Sequence, residues 1–147
     1  MEAEVGQRLG DYEILSLLGA GGMGRVYRVR HVISNRIEAM KILQPDLVAL
    51  PELAARFTAE IRTLASFDHP NIAQLRTAFQ HDDQLIMIME FVEGVTLDNR
   101  AGRAAMPVAE VIGYTCQVLA ALSYAHGRGV IHRDLKPANI MVTGRAS

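Results

Sequence analysis

Along residues 11–43 the apolar positions recur every second residue. Tyr12 and Ile14 flank Glu13, Val26, Tyr27 and Val29 favour strand, and Ile37, Ala39, Lys41 and Leu43 share one side of an alternating run. The pattern predicts three antiparallel strands. At residues 51–67 the period changes: Leu53, Phe57, Ile61 and Leu64 follow one another at steps of 4, 4 and 3, which predicts an amphipathic helix with Pro51 and Glu52 in its first turn. After His69-Pro70-Asn71, residues 72–79 and 84–91 read as a hairpin closed by Gln80, His81, Asp82 and Asp83. Glu93-Gly94 marks a joint. Pro107 then opens a second long helix, in which Val111, Ile112, Thr115, Val118, Leu119 and Leu122 recur at three- and four-residue steps until Gly127 and Gly129. Residues 130–142 hold two short apolar runs around a polar loop, and residues 143–147 read as a turn. The sequence contains no internal repeat and no low-complexity tract.

Composition narrows the class. A chain of 147 residues makes one domain or two small lobes. With 50% hydrophobic and 21% charged residues it is neither lipid-embedded nor disordered. Fifteen basic against 16 acidic residues leave a net charge of -1 without a clustered basic excess, so no nucleic-acid partner is expected. Cys116 is the single cysteine, which excludes an intramolecular disulfide or a Cys-rich zinc site and fits a reducing cytosol. Residues 1–18 carry Glu2, Glu4, Arg8, Asp11 and Glu13 with no continuous apolar stretch, and nowhere do 18 apolar residues run together. The expectation is a cytoplasmic chain with no membrane segment.

Gly19-Ala20-Gly21-Gly22-Met23-Gly24-Arg25-Val26 satisfies G-x-G-x-x-G-x-V, where absent side chains let backbone N–H groups approach phosphate oxygens. A ligand-free hairpin turn uses similar glycines. A dinucleotide-binding turn is a further rival, with Glu38 near its expected acidic position, but it needs a helix directly after the last glycine. Val26, Tyr27 and Val29 predict a strand instead, and a strand–loop–strand flap over phosphates suits a kinase.

Lys41, in Glu38-Ala39-Met40-Lys41, shares a strand face with Ala39 and is expected to look toward whatever the glycine flap covers. A lysine at such a position is otherwise an ordinary surface residue. Glu60 lies three residues after Phe57 and four before Leu64, beside the apolar stripe of its helix, where a carboxylate calls for a cation. A Lys41–Glu60 pair is therefore expected.

His132-Arg133-Asp134-Leu135-Lys136-Pro137-Ala138-Asn139 fixes several chemically distinct positions in one short stretch. With this stretch the chain resembles the eukaryotic-like protein kinases, in their bacterial serine/threonine form to judge by Gly-Gly-Met-Gly. The resemblance implies an α+β fold: a five-stranded antiparallel N-lobe sheet with one regulatory helix, plus the first part of a helical C-lobe. It divides the chain into an extension at 1–10, an N-lobe at 11–92, and a hinge exit with partial C-lobe at 93–147.

The same resemblance implies transfer of the ATP gamma-phosphate to protein Ser/Thr hydroxyls. Asp134 would accept or orient the hydroxyl proton, Lys136 would neutralise the phosphoryl group in flight, and Asn139 would ligate Mg2+, for which Mn2+ could substitute. Glu60 would hold the Lys41 ammonium at the nucleotide phosphates. The adenine pocket would comprise Leu18, Val26 and Ala39 above and Met141 below, with Met89 as gatekeeper and Glu90 and Val92 offering backbone hydrogen bonds. Leu64, Leu75 and His132 would stack as a regulatory spine. Arg133, expected to be buried beside the catalytic carboxylate, would answer to a phosphorylated activation loop.

His69-Pro70-Asn71 matches the family's turn after the regulatory helix, with a structural role expected. His31, His81 and His126 lack metal-ligand spacing and read as surface residues. Cys116, between apolar turns, is expected to be a small buried residue. Asp-Phe-Gly does not occur in the 147 residues, and the family places a principal magnesium ligand there. The expectation is a fragment of a longer kinase, or a chain that self-associates through its long apolar helix. The alternative is a non-catalytic nucleotide-binding or interaction module acting on a partner kinase.

Overall fold

The protein is described as a computed structural model, covering residues 3–21, 24–43 and 50–144. These residues form two compact units: one runs to Ser66 and includes Gln74–Phe91, and the other comprises Phe67–Ala73 and the chain from Val92 onward.

In the first unit, period-two segments pair as predicted. Strands β1 (Arg8–Leu9), β2 (Tyr12–Gly21), β3 (Gly24–His31), β4 (Ile37–Leu43), β5 (Leu75–His81) and β6 (Gln84–Glu90) form one antiparallel sheet in the order β1-β2-β3-β4-β6-β5. The five expected strands are present. The two-residue β1 adds an edge too short for alternation to reveal. Helix α1 spans Pro51–Ala65, ending two residues before the expected limit because Ser66 caps it, its Oγ donating to Thr63 O at 2.6 Å.

Strand β4 is central, and each of its faces feeds a different core. Met40 and Ile42 join Tyr12, Ile14, Tyr27, Val29, Ile86 and Ile88 on one side. Leu43 joins Phe57 of α1 and Met87 on the other, with Ile61, Leu64, Leu75 and Met89 packed against them. Complete burial of Phe57 contributes about 1.5–3 kcal/mol to holding α1 on the sheet. Because side chains alternate along a strand, Ala39 and Lys41 lie on the α1 side with Leu43.

Two turns differ from expectation. The β5–β6 hairpin closes on Asp82-Asp83 alone, both with left-handed backbone (φ 45° and 62°), which matches the twist of a two-residue hairpin. Gln80 and His81 belong to β5 and pair with Leu85 and Gln84. Strand β5 begins at Leu75 instead of residue 72, because the preceding residues belong to the other unit's turn.

In the second unit, β7 (Val95–Thr96) leads into α2 (Leu97–Arg103), followed by α3 (Val108–Gly127). Pro107 stands at the N-cap of α3. The short α2 was not expected. It is joined to α3 by an Arg100–Glu110 ion pair at 2.9 Å, with Tyr114 donating to the other Glu110 oxygen at 2.9 Å. The His69-Pro70-Asn71 turn sits against α3: Asp68 N donates to Tyr124 Oη at 2.8 Å, and Asn71 Nδ2 donates to Gln117 Oε1 at 3.1 Å. Of the two apolar runs in 130–142, only β8 (Met141–Val142) is a strand, pairing with β7. Gly94 permits this approach, since a Cβ there would lie 2.1 Å from the Val142 carbonyl oxygen.

Cys116 is exposed, contrary to expectation. The helix periodicity is apolar, but within this unit only Ala125 of α3 is fully buried, and Val108, Ile112 and Leu119 are exposed. By length and composition α3 is also able to cross a bilayer. Glu110 and Gln117 interrupt its apolar run. Both residues are engaged in the polar contacts just described.

Candidate active site

The described glycines of the glycine-rich segment lie at the facing ends of two paired strands. In β2 and β3, Gly19 faces Val26, Ala20 faces Arg25 and Gly21 faces Gly24. Gly22 and Met23 lie outside the described residues. The strand following Gly24 disposes of the dinucleotide-turn alternative, which needs a helix there. Gly24 is required for packing: a Cβ at this position would sit 2.2 Å from Ile42 O in the neighbouring strand. A bulge between Leu17 and Gly19 leaves Leu18 without a cross-strand partner, and its side chain is exposed.

Opposite residues of neighbouring strands share a face. Val26 stands opposite Lys41, and Ala39 opposite Met89. Lys41 reaches α1 from this face: its Nζ lies 3.2 Å from Glu60 Oε1 and 3.5 Å from Oε2, and 5.8 Å from the Phe57 ring centre. Both side chains are partly exposed, at 25% for Lys41 and 37% for Glu60, so the ammonium is oriented yet still accessible to an anion. Glu90 ends β6 with its N–H donated to Gln74 O at 2.8 Å. Leu64 and Leu75, two of the three expected spine residues, pack on the same cluster beneath.

The second unit holds the remaining site residues, Val92, His132, Asp134, Lys136, Asn139 and Met141. His132 Nδ1 accepts from Asp134 N at 3.1 Å. Pro137 starts a 3-10 turn over Pro137–Asn139, closed by Asn139 N donating to Lys136 O at 2.9 Å. That turn brings Asn139 back to Asp134: Nδ2 donates to Asp134 O at 2.8 Å and Oδ2 at 3.3 Å. Lys136 Nζ lies 3.7 Å from Asp134 Oδ1. Sequence spacing of two and five residues thus becomes a carboxylate flanked by an ammonium and a carboxamide.

Arg133 is exposed and pairs with no acid among the described residues. The expectation of a buried arginine is corrected, because the loop from Ile131 to Asn139 is exposed throughout. Its backbone is left-handed at φ 67°, a conformation that costs a non-glycine residue about 1–3 kcal/mol.

With Nδ2 committed to Asp134, Asn139 keeps its carbonyl Oδ1 as a donor for a hard cation. Among the described residues no three His, Cys, Asp or Glu side chains gather into a cation cage. One or two protein oxygens completed by phosphates and water suit Mg2+. These donors fit such an ion.

Glycines on two paired strands and a lysine held by a helix carboxylate in the first unit, and an Asp–Lys–Asn turn in the second, are each features of a phosphoryl-transfer class. Residues 12–147 match the protein kinase domain family, and the chain belongs to that family. It is 39% identical over 145 residues to the serine/threonine-protein kinase PknJ of Mycobacterium tuberculosis, covering 99% of this chain and 25% of that protein. It is 36% identical over 140 residues to the serine/threonine-protein kinase PrkC of Bacillus subtilis, covering 94% of this chain and 22% of that protein. The crystal structure of the Mycobacterium tuberculosis PknI kinase domain matches with a TM-score of 0.80 at 34% identity, over 99% of this chain and 60% of that one. The chain spans about a quarter of the length of these curated relatives. Its fold is that of a protein-kinase N-lobe with part of the C-lobe. Members of the family use ATP and Mg2+.

Proposed function

We propose that this chain carries the nucleotide-binding and acceptor-orienting parts of a serine/threonine protein kinase. The observation that carries the reading is the Lys41–Glu60 pair at 3.2 Å on the same sheet face as Ala39 and Met89. Glu60 holds the ammonium where a nucleotide phosphate under the glycine flap would receive it. Leu18, Val26, Ala39 and Met89 of the first unit supply apolar surface for adenine, and the second unit carries Met141 as a candidate for the same role. The N–H of Glu90 is already bonded within its unit, so Glu90 contributes its carbonyl and Val92 its N–H.

In the second unit Asp134 accepts the proton of a protein Ser or Thr hydroxyl and aligns its oxygen. Lys136 offsets charge that develops on the transferred group, and Asn139 Oδ1 serves as a ligand to Mg2+, or to Mn2+ in its place. Bound Mg2+ supplies charge neutralisation at the phosphates. A site that takes Mg-ATP is suited to the cytoplasm, where that nucleotide is abundant. Its partners are protein substrates with Ser or Thr acceptors, and self-association or a partner kinase belongs to the same reading.

Calorimetry of the chain with Mg2+ and ATP tests the pocket. Binding that Lys41→Ala weakens is expected, and equal binding by that variant overturns the assignment. Joining the chain to the remaining C-terminal part of the PknI kinase domain is expected to yield Ser/Thr phosphorylation that Asp134→Asn abolishes. Full activity in Asp134→Asn would remove it from its role.

A further inference from the structure

Glu38 is 1% exposed, the one charged side chain buried among the described residues. It occupies β4 on the face opposite Ala39 and Lys41, alongside Met40 and Ile42, and so takes no direct part in nucleotide binding. Arg36 Nε lies 2.8 Å and Arg76 Nε 3.5 Å from its Oε1. Neither carboxylate oxygen receives a hydrogen bond of good geometry, so charge rather than directed bonding compensates the burial. Tyr12 lies against the same group: its phenol is pushed above the ordinary value first by burial and then by the Glu38 charge. A buried ion pair replaced as a whole by apolar residues often leaves stability unchanged or higher, so retention of this charge calls for an explanation beyond stability.

The register supplies one. Glu38 stands directly opposite Glu90, so the two carboxylates share a face and repel. Arg76 links them through Gln74: Arg76 Nη1 donates to Gln74 Oε1 at 2.9 Å, Gln74 N donates to Glu90 Oε2 at 3.1 Å, and Glu90 N donates to Gln74 O at 2.8 Å. A continuous polar chain therefore runs from the buried carboxylate to the last residue of β6.

We propose that Glu38, with Arg36 and Arg76, is a positioning network that fixes the end of β6 at Glu90 and thereby the backbone that meets adenine. Its consequence for nucleotide binding rests on the proposed function, while its effect on Glu90 does not. The network explains why a charge is retained in a core position, since an apolar side chain there would not hold Arg76, which in turn holds Gln74.

Amide hydrogen exchange on the nucleotide-free chain separates the two. In Glu38→Leu and in Arg76→Met, exchange of the Glu90 amide is expected to quicken about tenfold, as loss of one charged contact brings, with Met40 and Ile88 unchanged. Arg76 is one-third exposed, so its replacement leaves no core cavity and serves where Glu38→Leu does not fold. Calorimetry is expected to show weaker Mg-ATP binding by Glu38→Leu than by the unchanged chain. Wild-type exchange at Glu90 in both variants, or equal acceleration across the sheet, overturns the proposal. If exchange at Glu90 responds while the unchanged chain shows no Lys41-dependent ATP binding, the network stands and the nucleotide reading falls.

Discussion

Asn139 donates through Nδ2 to Asp134 twice, at 2.8 Å to its carbonyl and at 3.3 Å to its carboxylate. One side chain thus fixes both the backbone and the carboxylate of the residue assigned to the acceptor proton. Replacing it with a group that cannot donate frees the carboxylate to rotate. Asn139→Ala, in the chain joined to a full C-terminal part, is expected to lower phosphoryl transfer about a hundredfold or more in a steady-state peptide assay. Activity within a few-fold of the parent would show that the carboxylate needs no such restraint.

The Lys41–Glu60 pair is partly exposed on both sides, so its own stability contribution is small, at most about 1 kcal/mol. Glu60→Gln is therefore expected to shift the thermal midpoint little and to weaken Mg-ATP binding clearly, because the ammonium loses its orientation. Differential scanning calorimetry and nucleotide titration on the same sample check both halves. A large stability loss with unchanged affinity would make the pair structural.

Gly24 meets Ile42 O so closely that any side chain must displace backbone. Gly24→Ala is expected to destabilise the first unit by about 1–3 kcal/mol, read as a lower midpoint in urea unfolding. The exposed Gly19, with open space around it, should tolerate alanine with no comparable loss.

Tyr12 gives a pH prediction. Its phenol is raised above 10.0 in the folded chain, chiefly by burial and next by the Glu38 charge. The folded state therefore holds that proton more tightly than the unfolded state. The resulting stability is complete below pH 10 and is lost as pH rises from there through the folded value. Melting curves are expected to fall in this alkaline window, and Tyr12→Phe to flatten the fall. An unchanged slope in that variant would assign the loss to other groups.

The sequence by itself determined the sheet strands with long alternation, the amphipathic α1 and the long α3, because each carries a period set by its own local geometry. It also determined the Lys41–Glu60 pair, since a carboxylate beside an apolar stripe and a lysine on the facing strand side leave few other solutions. The residues Asp134, Lys136 and Asn139 were legible as a motif in a polar loop, while the 3-10 turn that brings Asn139 back to Asp134 was not.

Tertiary structure decided the rest. Cys116 and Arg133 are exposed because burial depends on which neighbours cover a helix face or a loop, and periodicity cannot supply that. The pairing of β7 with β8 joins residues far apart in sequence, through strands too short for alternation to mark. Glu38, weighed in the sequence only as an acid after a glycine loop, became a buried charge when β6 set Glu90 against it and Arg36 and Arg76 closed over it. Local sequence fixes period and turn, whereas burial and charge pairing arise only when separate segments share space.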